Sequence, residues 1–90
     1  MPRYIVERTF PAGLQIPVTD EGVEMCRVFA LNNAEHNVTW IQSYVSDDGM
    51  KSFCALDAPS PEAIRRTAAA NNWPVDRITK VLVLDPYFYR

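Results

Sequence analysis

The sequence predicts an α+β domain of the ferredoxin-like type, in which the order βαββαβ forms one antiparallel sheet with two helices on one face. Three observations predict this fold class. Apolar side chains alternate with a period of two in four segments, they recur with a helical period in two others, and helix caps or a glycine-containing turn separate the segments. The 90 residues are expected to form a single domain over residues 1–90.

The first strand is predicted over Arg3–Phe10, where aromatic and β-branched side chains alternate between two faces. A helix is expected after Thr19, whose hydroxyl can cap it, and acidic residues follow where the helix dipole is positive. Asparagines weaken this helix towards Asn37. Helical spacing predicts a buried stripe that consists of Val23, Cys26, Phe29, Ala30 and Ala34.

The two central strands are predicted over Val38–Ser46 and Lys51–Asp57. Between them, the segment Asp47-Asp48-Gly49-Met50 is typical of a hairpin turn, because glycine supplies the positive φ that a tight reversal needs. Strands that are joined this closely are antiparallel.

The second helix has the clearest boundary signals in the chain. Ser60 can cap it, Pro61 suits the first helical position, and Pro74 prevents continuation beyond Asn72. A last strand is predicted over Arg77–Leu84. Right-handed crossovers then place both helices on the same side of the sheet.

Two helices cover one side of a four-stranded sheet, so the alternation leaves a second apolar face. We expect the helices to cover Ile5, Ile41, Val45, Cys54, Leu56, Val81 and Val83. The opposite face would then carry Tyr4, Val6, Trp40, Tyr44, Phe53, Ile78, Leu82 and Leu84. A large contiguous apolar patch is typical of an interface, and we therefore predict a homodimer that packs sheet against sheet as a dimeric α+β barrel.

The predicted dimer interface extends from the sheet into the residues after the last strand. The aromatic segment that ends at Tyr89 is expected to dock on its own subunit or on the partner, or to cover the open edge of the sheet. The interface residues are predicted to be Tyr4, Val6, Trp40, Tyr44, Phe53, Leu82 and Tyr87.

Charge and hydropathy exclude two classes of partner. The formal net charge is −2, and among nine scattered basic residues only Arg65 and Arg66 are adjacent, whereas nucleic acid requires a continuous basic surface. No apolar segment approaches the ~20 residues that span a bilayer, and no secretion signal is recognisable. A cytoplasmic protein without a nucleic-acid or membrane partner is expected.

No catalytic motif is present, so we assign no catalytic residue and favour a binding protein over an enzyme. The chain contains no G-x-G-x-x-G, P-loop or H-E-x-x-H pattern. A Ser–His–acid triad would have to use the sole histidine, and no nucleophile-elbow sequence accompanies it.

That histidine, His36, follows Glu35 at the end of the first helix. One interpretation is a solvated imidazole that suits the negative helix end; the other is a ligand in a surface metal site. Adjacent helical residues point ~100° apart, so such a site would need further ligands. We consider nearby carboxylates, Asp47 and Asp48, and a second subunit.

Arg8 shares the phase of the predicted dimer face, where a buried charge must be paired. It would either belong to an interface network that fixes register or clamp an anion or carbonyl in a pocket. Cys26 and Cys54 are expected to be free thiols that pack in the core. A metal-free pocket would use Glu7, Thr9 and Cys54 on the helix side, or Arg8, Trp40, Gln42 and Tyr44 on the other side.

Four segments together resemble a family of small bacterial proteins, defined as a domain of unknown function, that includes nickel-binding members. The segments read YIVERTF, VTWIQSYVS, APSPEAIR and LDPYFY, at residues 4–10, 38–46, 58–65 and 84–89. The resemblance covers nearly the whole chain and implies a ferredoxin-like subunit, a dimer, and nickel bound at the dimer surface for sequestration or detoxification. Similar chains often carry histidine where this chain has Gln42.

The resemblance favours a cytoplasmic dimer that binds nickel or a similar divalent ion. The helix-end pair of Glu35 and His36, with Asp47 and Asp48 as nearby carboxylates, supplies the expected ligands. The alternative is a metal-free enzyme or small-ligand-binding protein with a pocket between sheet and helices. A purely structural or regulatory interaction module is the third hypothesis.

Overall fold

The computed structural model describes residues 2–14 and 19–87. Its strands pair in the order β2-β3-β1-β4, and every pairing is antiparallel. The predicted ferredoxin-like βαββαβ class is therefore confirmed. The elements are β1 (Arg3–Thr9), α1 (Asp20–Glu35), β2 (Thr39–Val45), β3 (Lys51–Asp57), α2 (Pro61–Asn71) and β4 (Arg77–Val81).

The core lies between the sheet and the helices. In the antiparallel register, Tyr4 lies opposite Leu56 and Val6 lies opposite Cys54, so these side chains share one face. All four are buried with Ile64 of α2. The complete core cluster consists of Tyr4, Val6, Val38, Cys54, Leu56, Ala58, Ala63 and Ile64.

The predicted faces of β1 and β4 are therefore wrong. Tyr4 and Val6 belong to the core beneath the helices, and Ile78 of β4 lies opposite Val6 and packs against that core. The opposite face carries Ile5 and Val81 instead. The periodicity predicts that side chains alternate between the two faces of these strands, but both sets of side chains are apolar. Packing against α2 determines which set is buried.

A β-bulge in β2 explains a further difference. Trp40 lies opposite Leu56 and Ser43 lies opposite Cys54, with an irregularity between Trp40 and Gln42. A bulge inserts one unpaired residue, so the side chains on its two sides do not follow a regular alternation. Trp40 was expected beside Tyr44 on the open face, but it packs against the core, where its Nε1 donates to Ser43 Oγ at 2.8 Å.

Strand β4 ends earlier than expected, at Val81 rather than Leu84. It pairs with β1 only, and Val81 lies opposite Arg3, the first residue of that strand. Residues after Val81 have no continuous partner strand, which is why the ladder stops there.

The buried side of α1 is displaced by about one residue from the predicted stripe. Gly22 and Asn33 are buried, whereas Val23 is 70% exposed. Ala30 and Ala34 are exposed as well, while Cys26 and Phe29 are half-buried. The predicted cap is present, since Thr19 Oγ1 accepts from the backbone N–H of Gly22 at 3.5 Å. Neither helix in the described part of the chain is long and apolar enough to cross a membrane.

Both ends of α2 follow the sequence signals. Ser60 Oγ accepts from the backbone N–H of Ala63 at 3.3 Å, and Pro61 begins the helix. Asn72 ends it in the left-handed conformation with φ of 56°, which asparagine tolerates better than most residues. The following N–H, of Trp73, donates to the carbonyl of Ala68 at 2.9 Å. This ending fixes where the Trp73 side chain leaves the helix.

Stability at low pH should depend on the ion pair that joins β1 to β3. Arg3 Nε and Nη2 donate to the two carboxylate oxygens of Asp57 at 2.8 and 3.2 Å. This guanidinium holds the pKa of Asp57 below its ordinary value of 3.8. Because the folded-state pKa is the lower one, the pair stabilises fully above the unfolded pKa and loses its effect as pH falls through the folded pKa.

We therefore expect Arg3→Met to lower the urea midpoint most near about pH 7, with the difference from wild type shrinking below about pH 4 as Asp57 becomes protonated. Urea unfolding followed by circular dichroism over this range measures the effect. Arg66→Met is the control, since Arg66 forms no ion pair with another described residue. A pH-independent difference would contradict the assignment.

Candidate functional site

The four predicted metal ligands do not form one site within a subunit. Glu35 ends α1 and His36 caps it, directly before β2. Asp47 and Asp48 lie in the hairpin after β2. The seven residues of β2 separate the two pairs by about 20 Å. Among the described residues, no three His, Cys, Asp or Glu groups lie close enough together to hold an ion.

The Asp48 carboxylate also has a local structural role. Its Oδ1 accepts from Ser46 Oγ at 2.6 Å and from the backbone N–H of Met50 at 2.9 Å. These hydrogen bonds lower the pKa of Asp48. Gly49 takes the positive φ of 72° that the hairpin was expected to need. Asp48 therefore shapes this turn. A metal ion bound to its carboxylate would compete with the two hydrogen-bond donors for the same oxygen.

The predicted pocket residues divide between the two faces of the sheet. Arg8, Trp40 and Cys54 line a small cavity of about 20 Å³ between the sheet and the helices, which is room for about one water molecule. The other four, Glu7, Thr9, Gln42 and Tyr44, lie on the face away from the helices. The remaining lining residues are Phe29, Asn33, Leu56, Asn71 and Trp73.

Arg8 is the unusual member of this lining, because its side chain is charged and yet the residue is only 5% exposed. Its Nη1 donates to the carbonyl of Pro74 at 2.8 Å, and its guanidinium carbon lies 5.3 Å from the Trp73 ring centroid. Its Nε is buried without an acceptor among the described residues. The expectation that Arg8 points into the dimer face is therefore corrected: it lies under the helices.

Sequence reasoning did not identify Trp73 as a site residue. Its ring contacts Phe10 edge-on at 5.6 Å between centroids and Phe29 at 4.5 Å in a tilted arrangement. It thereby connects the end of β1 with α1 and covers Arg8. The signal in the sequence was the position of Trp73 directly after Asn72. A helix that ends in a left-handed residue, as this one does at Asn72, often brings a following apolar side chain back onto the helix.

A second cavity, of about 60 Å³, adjoins the first one. The two cavities share three walls, namely Trp40, Cys54 and Trp73. Cys54 is a buried free thiol, as expected, whereas Cys26 is only half-buried. The additional lining residues of the second cavity are Leu14, Ser43, Val45 and Ser52.

The face of the sheet away from the helices carries exposed apolar side chains. Tyr44 is 64% exposed and lies opposite Phe53, which is also exposed. Ile41, at the bulge, is exposed beside them. Of the predicted interface residues beyond the sheet, Leu82 is 89% and Tyr87 is 87% exposed, while Phe88 and Tyr89 lie outside the described residues. We call Ile41, Tyr44 and Phe53 the open-face patch.

Fold and sheet order define a ferredoxin-like α+β protein. Residues 4–81 match the family described as nickel responsive protein SCO4226-like, and the chain belongs to this family. It is also similar to a solved structure, SCO4226 from Streptomyces coelicolor A3(2), with a TM-score of 0.69 and 17% sequence identity. That likeness covers 90% of this chain and 96% of the other, and it supports the same fold. No curated protein sequence matches the chain.

Proposed function

We propose that this chain is a homodimer that binds nickel or a similar divalent ion in the cytoplasm and sequesters it. The observation that carries the proposal is the match of residues 4–81 to the nickel-responsive family. The proposal goes beyond that family description in three respects: direct metal binding, assembly of two copies, and a protective role.

Ligands from two copies would resolve the shortage of ligands within one subunit. His36 is half-buried at the end of α1, and its neighbour Glu35 is exposed. A two-fold dimer presents each ligand twice, so a site on the axis would gain two imidazoles and two carboxylates from these two positions. Imidazole is a good ligand for nickel. Two imidazoles and two carboxylates would leave further coordination positions of the ion for water. Asp47 and Asp48 would contribute only if the partner brings its hairpin towards this end of β2.

The open-face patch is the surface that we propose for the dimer contact. Tyr44 and Phe53 project from one sheet face, and Ile5 and Ala55 lie opposite each other on the same face. Ile41 is exposed at the bulge of the same edge strand. Burying about 800 Å² per subunit, much of it apolar, is typical of stable dimers. Tyr44 and Phe53 remain predicted interface residues, and Leu82 and Tyr87 would join them from beyond β4.

The test of metal binding is calorimetric titration of metal-free protein with nickel chloride. We expect saturable heat in wild type, and loss of at least about 90% of the affinity in His36→Ala because nickel loses its imidazole ligand. Glu62→Gln, which removes an exposed carboxylate on α2, is the control and should bind as wild type does. Absence of heat from wild type at micromolar concentration would refute the proposal.

The shared-site aspect is tested with Phe53→Glu, which places a charge in the open-face patch. Analytical ultracentrifugation should show a dimer for wild type and a monomer for the variant, because an uncompensated charge is costly to bury in an apolar contact. If the ligands come from two copies, the monomeric variant should also lose nickel binding. A monomer that binds nickel normally would contradict the shared site, and a monomeric wild type would contradict the dimer.

A further inference from the structure

Arg8 is a buried cation that forms no ion pair with another described residue. No acidic side chain lines its cavity. The residues outside the described ranges, namely 1, 15–18 and 88–90, include no Asp or Glu in the sequence. A buried charge is costly unless it is paired, and a buried donor without an acceptor adds to that cost. The protein therefore retains an unfavourable feature that a bound anion would relieve.

Asn33 belongs to the same lining and carries a second group that can donate a hydrogen bond. It is buried on α1, and its Oδ1 accepts from Thr67 Oγ1 at 2.8 Å and from Asn71 Nδ2 at 3.3 Å. These two contacts orient the amide, since both partners engage its oxygen. The amide nitrogen then makes no hydrogen bond to another described side chain. The lining of the cavity thus includes a guanidinium and a side-chain amide, a pair of groups suited to a carboxylate.

The adjoining cavity determines what kind of group a ligand can carry next to its charged end. Leu14 and Val45 line it, and the two tryptophans form walls that both cavities share. Together the cavities provide a polar, positively charged end and an apolar end. Their volumes, about 20 and about 60 Å³, limit a ligand to a few non-hydrogen atoms.

We propose that this cavity pair binds a short-chain monocarboxylate of two to four carbons. Its carboxylate accepts from the Nε–H of Arg8 and from the Asn33 amide, and its carbon chain lies between Trp40 and Trp73. Arginine recognises carboxylates through two parallel N–H donors, which gives orientation as well as affinity. The competing explanation is that Arg8 only fastens the segment after α2, through the Pro74 carbonyl and the Trp73 ring.

The chain carries its own reporter for the test, because its only two tryptophans are walls of both cavities. Propionate titrated at constant ionic strength should change tryptophan fluorescence saturably. Propionamide has nearly the same shape without the charge, and sodium chloride has charge without the shape. We expect at least about tenfold weaker binding for propionamide and no saturable change with chloride.

Two further measurements separate ligand binding from a structural role of Arg8. Arg8→Met should weaken propionate at least about tenfold, whereas the exposed control Arg66→Met should bind within about twofold of wild type. Because Arg8→Met could fail to fold, the Nε–H resonance of Arg8 is followed by ¹⁵N NMR in wild type, and it should shift with propionate. Equal responses to acid and amide, or an unmoved resonance at saturating propionate, would overturn the proposal.

Discussion

Ile64→Ala is expected to lower the free energy of unfolding by about 2–5 kcal/mol. Ile64 is fully buried, with 0% exposure, and it packs with β1 and β3 residues at the centre of the core cluster. Alanine removes three carbon atoms and leaves a cavity beneath α2 that the rigid sheet cannot fill. In a 90-residue chain this is a large part of the total stability, which is typically about 5–15 kcal/mol.

Urea unfolding followed by circular dichroism measures the effect as a lower midpoint with an unchanged slope. Val23→Ala, which also truncates a branched side chain but at an exposed helical position, is the control and should change stability by less than about 0.5 kcal/mol. Similar losses in the two variants would mean that the side of α2 that covers the sheet has been assigned incorrectly.

Asn33→Ala is expected to lower the free energy of unfolding by about 2–3 kcal/mol, because it breaks two of the hydrogen bonds between the two helices. Asn33 accepts from Thr67 and Asn71 of α2, and the Thr67 hydroxyl is buried. Gly22 and Asn33 are the only buried residues of α1, which lies wholly within the described residues, so these hydrogen bonds are among the few buried contacts of this helix. Removing the amide leaves buried groups of α2 without their partner.

Hydrogen exchange should show the loss as faster exchange of the α1 amides, with the sheet amides much less affected. Asn32→Ala is a graded control: Asn32 makes one hydrogen bond, from Nδ2 to Asn71 Oδ1, in a partly exposed position. The Asn32→Ala variant should lose less than about 1 kcal/mol of its free energy of unfolding. Uniform acceleration across the whole molecule would instead indicate that α1 cannot open separately from the sheet.

The element order could be predicted because it depends on local chemistry. The Ser60 cap, the Pro61 start and the turn at Gly49 are each determined by a few neighbouring residues, and the structure contains all three. The sides of the strands are determined by distant partners. In β1, Arg8 has the same phase as Tyr4 and Val6, and a charged residue ordinarily marks the solvent side.

The candidate sites were less accessible to sequence reasoning for the same reason. The sequence indicates Arg8, Trp40 and Cys54 as pocket candidates, but it assigns them to two different faces, because neither the bulge nor the phase of β1 is visible in it. Trp73 joins them from a loop whose path depends on the Asn72 conformation. The metal ligands are predicted from residue type, and residue type contains no information about the separation that β2 imposes between His36 and Asp48.

The bulge in β2 also has a consequence for changes in chain length. Ile41 is the extra residue between Trp40 and Gln42, and the pairing on either side of it is already in phase. A chain that lacked Ile41 would keep Val45 towards the helices and Tyr44 towards the open face. This position can therefore lose one residue while both surfaces keep their side chains. Elsewhere in β2 an insertion or deletion must shift the strand, so we expect natural length variation in this strand to be found here.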